Sequence, residues 1–176
     1  MSTLKILVGP TDHIQGDPGA PCTLVEYGDY QCPHCGRAYP IVQRIQKHFG
    51  KRLRFVFRNF PLSEMHPNAE SAAESAEFAA THGKFWEMHD LLFENQDRLG
   101  GVLYLQLAEK LGLPSAELRS ALDQHQFLNR VRADFSGGVR SGVNGTPTFF
   151  INGHRHDAPV DYDDLLSAID SALAKT

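Results

Sequence analysis

The feature that most constrains the fold is a pair of cysteines, Cys32 and Cys35, that lies between an apolar segment and a helical one. The apolar segment, Thr23–Tyr27, is rich in strand-forming residues with one acid among them, which is typical of a central strand. Helical spacing of apolar residues follows from about Arg37. Pro33 falls at the expected first position of that helix, where its missing N–H would have had no partner. The cysteines are therefore predicted to lie at a strand-to-helix junction.

This position suits redox chemistry. The unpaired N–H groups and positive dipole end of a helix stabilise a thiolate, so Cys32 is the candidate nucleophile. Cys35, one turn inside the helix, is the candidate resolving thiol that closes a disulfide. A protonated His34 would stabilise the thiolate but not the disulfide and would thus favour the reduced form. The alternatives are a structural cysteine pair and half of a zinc site, which would need two further ligands at suitable spacing.

Composition narrows the classes of function. The chain has 176 residues, which fits one domain or one domain with an insertion. A net charge of −4 and the lack of a five-residue run of like charge argue against a nucleic-acid-binding face. No apolar stretch approaches the ~18 residues of a membrane helix, and the first residues do not resemble an export signal. We expect a cytoplasmic monomer that binds no membrane, or a periplasmic one if a signal has been removed.

Strand patterns occur only near the two ends of the chain. A second strand at Leu53–Phe57 completes a β–α–β unit with parallel strands. Thr148–Ile151 and the turn Asn152-Gly153 predict a later hairpin, and Asp161 is expected to cap a last helix. The Gly- and Pro-rich stretch Thr11–Pro21 is predicted to be a surface lead-in.

The stretch from about residue 64 to 143 has no convincing strand and is predicted to be helical. Its glycines and prolines divide it into separate helices. The predicted helices are Pro67–His82, Phe85–Gln96, one through Leu103 and Leu111, one capped by Ser115 and running through Leu122, and Phe127–Phe135, which is ended by Gly137-Gly138.

Three features together resemble the thioredoxin superfamily, and the DsbA-like thiol–disulfide oxidoreductases in particular. They are Cys32-Pro33-His34-Cys35, Thr146-Pro147 just before a strand, and Glu26 on the strand that leads to the motif. The segment Gly83–His89 also resembles the helical region of this subgroup, including relatives fused to sodium/proton antiporters. The resemblance implies an α/β thioredoxin-like fold (βαβ…ββα) with an inserted all-helical domain. The thioredoxin-like domain would comprise residues 12–63 and 143–176, and the insert residues 64–142.

The resemblance also implies roles for residues outside the motif. Glu26 matches the buried acid beneath the resolving thiol, where burial would raise its pKa and let it take the proton of Cys35. The alternative is a glutamate on an edge strand that faces solvent. Thr146 and Pro147 match the cis-proline loop that faces the cysteines, and the backbone of Thr146 would pair with an extended substrate.

The expected function is disulfide exchange with protein or peptide substrates and an unidentified redox partner, without a cofactor beyond the protein's own disulfide and without a metal. The Pro-His dipeptide resembles that of an oxidising enzyme. A reducing compartment would hold an oxidising Cys32–Cys35 pair in its dithiol form, so the direction of electron transfer stays open. Two alternatives remain: a glutathione-dependent relative of the kappa-class transferases or isomerases, and a metal-binding or regulatory module. Cys22 is expected to be a small buried apolar residue, and His154 and His156 a surface pair. The candidate catalytic residues are Cys32, Pro33, His34, Cys35 and Glu26, and the candidate substrate-binding residues are Thr146 and Pro147.

Overall fold

A computed structural model describes residues 2–175. Within them a five-stranded sheet has the order β1-β3-β2-β4-β5, in which β2 and β3 are parallel and the other neighbours antiparallel. Both predicted halves, βαβ and ββα, are present, so the predicted α/β fold is confirmed. The strands are β1 (His13–Gly16), β2 (Cys22–Gly28), β3 (Leu53–Asn59), β4 (Thr148–Ile151) and β5 (His154–His156).

The helices occupy three parts of the chain. One links β2 to β3, five lie between β3 and β4, and the last follows β5. No helix within residues 2–175 is both long and apolar enough to cross a membrane. The helices are α1 (Pro33–Phe49), α2 (Ala69–Ala80), α3 (Phe85–Glu94), α4 (Gly101–Lys110), α5 (Ser115–Asp123), α6 (Leu128–Arg140) and α7 (Tyr162–Leu173).

The central strand β2 places the site. Its residues are almost all buried, since it has a neighbouring strand on each side and an apolar core on each face. Because β4 runs antiparallel to it, the start of β4 lies beside the end of β2, with Tyr27 opposite Thr148. The loop that contains Thr146-Pro147 therefore meets the loop that leads from β2 to the cysteines.

One apolar core joins the sheet to helices from all three parts of the chain. It includes Phe57 from the sheet, Ile45 from α1, Ala76 from α2 and Leu165 from α7, all fully buried. The predicted domain boundaries at residues 64 and 142 are not tested by this shared core and stay a prediction. A smaller core covers the opposite face of the sheet.

Two local predictions are confirmed. The Asp161 carboxylate accepts a hydrogen bond from the Asp164 N–H at 2.9 Å and caps α7. Asn152 and Gly153 both have positive φ, at 46° and 81°, as a tight hairpin turn between β4 and β5 requires.

The prediction that Thr11–Pro21 is only a surface lead-in is wrong for four residues. His13–Gly16 forms the edge strand β1, antiparallel to β3. The strand lacks an apolar alternation in the sequence, and distant residues help to hold it. The ring of His13 stacks on Phe85 with centroids 3.5 Å apart, and its Nε2 lies 2.9 Å from a Glu77 carboxylate oxygen.

Two helix-end predictions are also wrong. Ser115 is the first residue of α5 rather than its cap, and its hydroxyl donates to Glu109 at 3.1 Å. Helix α6 continues through Gly137 and Gly138 to Arg140. A Cβ at Gly138 would lie 2.7 Å from the ring of Phe60, so this glycine permits close packing rather than ending the helix.

Candidate active site

Cys32 lies at the N-cap of α1, directly before Pro33 at the first helical position. Its backbone is extended, with φ −67° and ψ 121°, which turns the chain from β2 into the helix. The thiol lies 3.4 Å from the carbonyl oxygen of Thr146, to which it donates when protonated. The cap position aims the sulfur at the unpaired N–H groups of the first helical turn.

The surroundings of Cys32 lower its pKa to about 5. The largest cause is a hydrogen bond from the thiol of Cys35; the side chain of Thr146 and the backbone N–H groups of Cys35 and His34 add to it, against the opposing effect of burial. The buried hydroxyl oxygen of Thr146 has no other hydrogen-bond partner within residues 2–175, so it is free to donate to the sulfur. Cys32 is therefore a thiolate at neutral pH.

Cys35 lies in the opposite environment. It is fully buried on the side of α1 that faces the sheet. Burial raises its pKa well above the ordinary range, and the hydrogen bond to Cys32 and the charge of Glu26 raise it further. The backbone N–H of Asp29 lies 3.4 Å from its sulfur. Both motif cysteines are unbridged, so this is the reduced form.

Glu26 is buried in β2, with 2% of its surface exposed, which fits the buried acid that the resemblance implies and excludes the alternative of a solvent-facing edge glutamate. Its strand register places it between Phe57 and Phe149. Burial raises its pKa to about 8, and the charge of Cys32 contributes. Its Oε1 has no hydrogen-bond partner within the described chain. Glu26 also lines a cavity of about 230 Å³ whose other walls include polar side chains of α1 and α3.

His34 is exposed and lies one turn before Arg37 on α1. The guanidinium of Arg37 lies 2.5 Å from His34 Nδ1, and since a guanidinium can only donate, Nδ1 is an acceptor in this contact. The backbone N–H of His34 contributes to the lowered pKa of Cys32. The further contribution predicted for a protonated imidazole stays a prediction.

The Thr146–Pro147 peptide bond is cis. The turn around it is fixed by the hydroxyl of Thr148, which donates to the carbonyl of Gly145 at 2.8 Å. A surface groove of about 480 Å³ runs along this loop and reaches His34 and Arg37. The structure thus brings the predicted catalytic and substrate-binding residues together at one edge of the sheet.

Sequence reasoning missed Asp29, which is 1% exposed. Its Oδ1 accepts hydrogen bonds from the N–H groups of Gln31 and Cys32 at 2.7 and 3.1 Å. Its Oδ2 accepts from the N–H of Leu62 at 2.9 Å and lies 2.8 Å from His66 Nδ1. One carboxylate therefore fixes both the turn before Cys32 and the loop after β3. The signal was an Asp at the end of a strand, a residue that commonly bonds to the backbone two positions on.

The remaining candidates lie away from this site. Cys22, at the start of β2, is fully buried as predicted, and burial raises its pKa to about 11. His154 is exposed and His156 half-buried, both in β5.

Three side chains in the helical region, Glu70, Glu74 and His125, have potential metal-ligand atoms within 4.8 Å of one another. Within this group, His125 Nδ1 lies 3.1 Å from an oxygen of the buried Glu74 carboxylate.

Comparison with known proteins places this geometry in a family. Residues 9–171 match the family described as Thioredoxin, so the chain belongs to it. Its fold is the one found in DsbA-like proteins, as the solved structure of Wolbachia pipientis α-DsbA1 shows.

The curated relatives are much longer than this chain. It is 44% identical over 172 residues to the Na(+)/H(+) antiporter NhaA 3 of Salinispora tropica, a match that covers 97% of the chain and 26% of the relative. NhaA 1 of Mycobacterium sp. strain KMS is 43% identical over 162 residues, a match that covers 91% of the chain and 26% of the relative. The chain therefore spans about a quarter of the length of these relatives.

The similar solved structures match over nearly their whole length. BdbD from Bacillus subtilis in its oxidised form is 28% identical, with a TM-score of 0.85 and 93% of each chain covered. A thioredoxin-like oxidoreductase from Silicibacter pomeroyi is 26% identical, with a TM-score of 0.83, covering 96% of this chain and 95% of that one. Wolbachia pipientis α-DsbA1 shares the fold at 21% identity, with a TM-score of 0.82 and coverage of 97% and 94%.

Proposed function

We propose that this protein is a thiol–disulfide oxidoreductase that exchanges disulfides with protein or peptide substrates through Cys32 and Cys35. The observation that carries the proposal is that two thiols within one turn of helix have pKa values displaced in opposite directions. The pKa of Cys32 is lowered to about 5, and the pKa of Cys35 is raised. Such a pair supplies one reactive sulfur and one protected sulfur. The similarity to a thioredoxin-like oxidoreductase of known structure supports the assignment.

In the oxidising direction, a substrate thiolate attacks Cys32 Sγ of the Cys32–Cys35 disulfide. Cys35 is fully buried on the sheet-facing side of α1, whereas Cys32, although only 3% exposed, lies beside the Thr146-Pro147 loop. A mixed disulfide forms, and Cys35 leaves as a thiolate. Because the pKa of Cys35 is raised, this sulfur takes up a proton. We assign Glu26 as the donor, since a pKa of about 8 keeps it protonated at neutral pH.

The second substrate thiolate then attacks the substrate sulfur of the mixed disulfide, and Cys32 leaves. Its low pKa makes it a good leaving group, and it stays a thiolate. The substrate loses two electrons and two protons; the protein gains both electrons and one proton, and the other proton goes to water. The cavity beside Glu26 gives that carboxyl a route to regain its proton from solvent.

Thr146 and Pro147 are assigned to substrate binding. The groove along their loop also reaches His34, which lies between the two cysteines in the motif. The backbone of Thr146 would pair with an extended segment of the substrate, as an added strand does. Pro147 has no N–H, so backbone can approach the sulfur closely at this point.

The direction of electron flow follows from the same pKa. A thiolate stabilised in the reduced form but absent from the disulfide makes the couple more oxidising. We therefore propose an oxidant, with a potential above the about −270 mV of a reducing thioredoxin. The compartment in which the protein meets its redox partner stays a prediction.

The test is the oxidation of a model peptide dithiol by one equivalent of oxidised protein, whose Cys32–Cys35 disulfide is the oxidant, followed with wild-type protein and with Cys32→Ser. The wild type should accelerate peptide oxidation, and Cys32→Ser should not exceed the uncatalysed rate. Stoichiometric zinc on the isolated protein, with no rate above background, would instead support the metal-binding module. A rate that requires glutathione as co-substrate would support the kappa-class alternative.

A further inference from the structure

A residue of the helical region, Gln96, holds the loop that carries Cys32. Its side-chain Nε2 donates to the carbonyl oxygens of Tyr30 at 2.8 Å and of Cys32 at 2.9 Å. These are backbone groups of the turn that links β2 to α1. No motif led sequence reasoning to Gln96, and it lies 60 or more positions away along the chain.

The position of Gln96 is itself fixed by the end of α3. It begins a short 3-10 turn, Gln96–Arg98, directly after that helix. Asn95 donates from its side chain to the carbonyl of Leu91 at 2.8 Å and accepts from Arg98 at 2.6 Å. The amide of Gln96 is thus presented to the active-site loop from a well-connected helix end.

Gly36, the residue after the motif, packs directly against this amide. A Cβ at Gly36 would lie 2.2 Å from Gln96 Oε1 and 2.9 Å from its Cδ. No side chain larger than hydrogen fits while Gln96 holds its place. The glycine after Cys35 therefore has a physical reason: it admits Gln96 to the first turn of α1.

These contacts act on the geometry that activates Cys32. The carbonyl of Cys32 also accepts the N–H of Gly36 at 3.0 Å, which is the first bond of the helix. With Asp29 bonded to the N–H of Cys32 and Gln96 to its carbonyl, both peptide groups of this residue are held. Its sulfur is then kept where the N–H groups of the first turn converge.

We propose that Gln96 is a positioning residue of the active site, whose amide holds the Tyr30–Cys32 backbone in the cap geometry that activates Cys32. The inference rests on the proposed function, since it concerns the same thiol. It assigns to the helical region a part in setting the reactivity of the cysteine pair, beyond packing against the sheet.

The test compares Gln96→Met and Gln96→Glu with wild type. Methionine keeps much of the bulk against Gly36 but donates no hydrogen bond; glutamate keeps the shape and turns a carboxylate toward two carbonyls. We expect the pKa of Cys32 to rise by about one unit in Gln96→Met, which corresponds to about a tenfold shift of the glutathione equilibrium toward the protein disulfide. The shift should be larger in Gln96→Glu, whose carboxylate repels the thiolate. The matched control is Gln124→Met, an exposed glutamine bonded to Ser120, which should change neither quantity.

A second set of variants tests the packing. Gly36→Ala should displace Gln96 and raise the pKa of Cys32 as Gln96→Met does. In a Gln96→Ala background the added methyl group meets no amide, so Gly36→Ala should have little further effect. This non-additivity is expected only if the two residues act through one contact.

The outcomes separate the inference from the proposed function. A wild type in which Cys32 titrates like an ordinary thiol, or which catalyses no exchange, would contradict the proposed function. A wild type that behaves as proposed, with Gln96 variants that unfold at lower temperature but keep the thiol pKa and glutathione equilibrium unchanged, would show a structural role only and overturn the inference. If Gln96→Met does not fold, the pKa of Cys32 and the glutathione equilibrium are measured on Gln96→Glu and Gly36→Ala instead.

Discussion

The cap of α1, which holds Cys32, and the sheet-facing interior, which holds Cys35 and Glu26, are adjacent regions that displace pKa values in opposite directions. At the cap, hydrogen-bond donors converge on the sulfur and favour its charged form. In the interior, burial dominates and favours the neutral forms of both Cys35 and Glu26. The two thiols belong to the same residue type and lie one helical turn apart, so their environments alone account for the difference.

The comparison shows how one motif yields two roles. The helix cap, where hydrogen-bond donors converge, makes Cys32 a nucleophile and leaving group, and the apolar interior makes Cys35 a partner that keeps its proton. Because the thiol of Cys35 donates to Cys32, each region also depends on the other: a neutral Cys35 is part of what keeps Cys32 charged.

The largest effect is expected from removing one sulfur at a time. Cys32→Ser should reduce exchange to the uncatalysed rate, because the remaining motif thiol is buried and protonated. Cys35→Ser should keep a reactive Cys32 but accumulate mixed disulfides, visible by mass spectrometry, because nothing resolves them. Cys22→Ala is the control and should exchange at the wild-type rate. Equal trapping of substrate by Cys32→Ser and Cys35→Ser would remove the distinction between the two regions.

Glu26→Gln should change how stability depends on pH. The pKa of Glu26 is raised from 4.5 to about 8 on folding, so between these values the native state binds more protons and stability falls as pH rises. Glutamine does not titrate, so the variant should gain on the order of 4 kcal/mol over wild type by pH 8 and above. Cys32 gives the opposite slope, from about pH 5 upward, in both proteins.

The measurement for Glu26 is urea unfolding of the reduced proteins at several pH values from 4 to 9. The exposed Glu117→Gln serves as the control and should follow the wild type throughout. Parallel curves for wild type and Glu26→Gln would mean that the interior does not hold a neutral carboxyl.

Asp29→Asn tests the residue that joins the two regions. The Asp29 carboxylate accepts hydrogen bonds from four groups. The NH₂ group of an asparagine is itself a donor, so on one side it would face donors that it cannot pair with. We expect a loss of about 1–3 kcal/mol in the free energy of unfolding, since buried groups are left unpaired. The exposed Asp123→Asn should unfold like the wild type, and an equally stable Asp29→Asn would show that these bonds do not hold the loop.

Thr146→Val should have the smallest effect. The hydroxyl is one of several groups that lower the pKa of Cys32, and it is not the largest. Its removal should raise that pKa by about half a unit, measured by thiolate absorbance. The exposed Thr11→Val is the control, and a Thr146→Val protein whose titration curve overlays that of the wild type would exclude the hydroxyl from the cap.

The cysteine pair, the buried Glu26 and the loop at Thr146-Pro147 could be predicted from the sequence because each has a local pattern or a family resemblance. The strand-to-helix junction follows from the order of an apolar run, a proline and helical spacing. The hairpin turn at Asn152-Gly153 follows from backbone conformations that few residue pairs adopt.

The residues that escaped prediction act through partners that are distant in sequence. Strand β1 depends on β3 and on Phe85, and Gly138 depends on Phe60. Gln96 is an ordinary polar residue until the fold brings its amide to Tyr30 and Cys32. Local sequence patterns specify helices, strands and turns, whereas these contacts form only when the folded chain brings distant residues together.

The most direct test is a pH titration of thiolate absorbance on the reduced wild-type protein. We expect one thiolate to form with a pKa of about 5 and no second one to appear up to pH 9. Burial and the neighbouring charges hold Cys35 protonated, and burial raises the pKa of Cys22 to about 11. A first thiolate that appears only near the about 8.5 of an ordinary cysteine, or two thiolates that form together, would contradict this expectation.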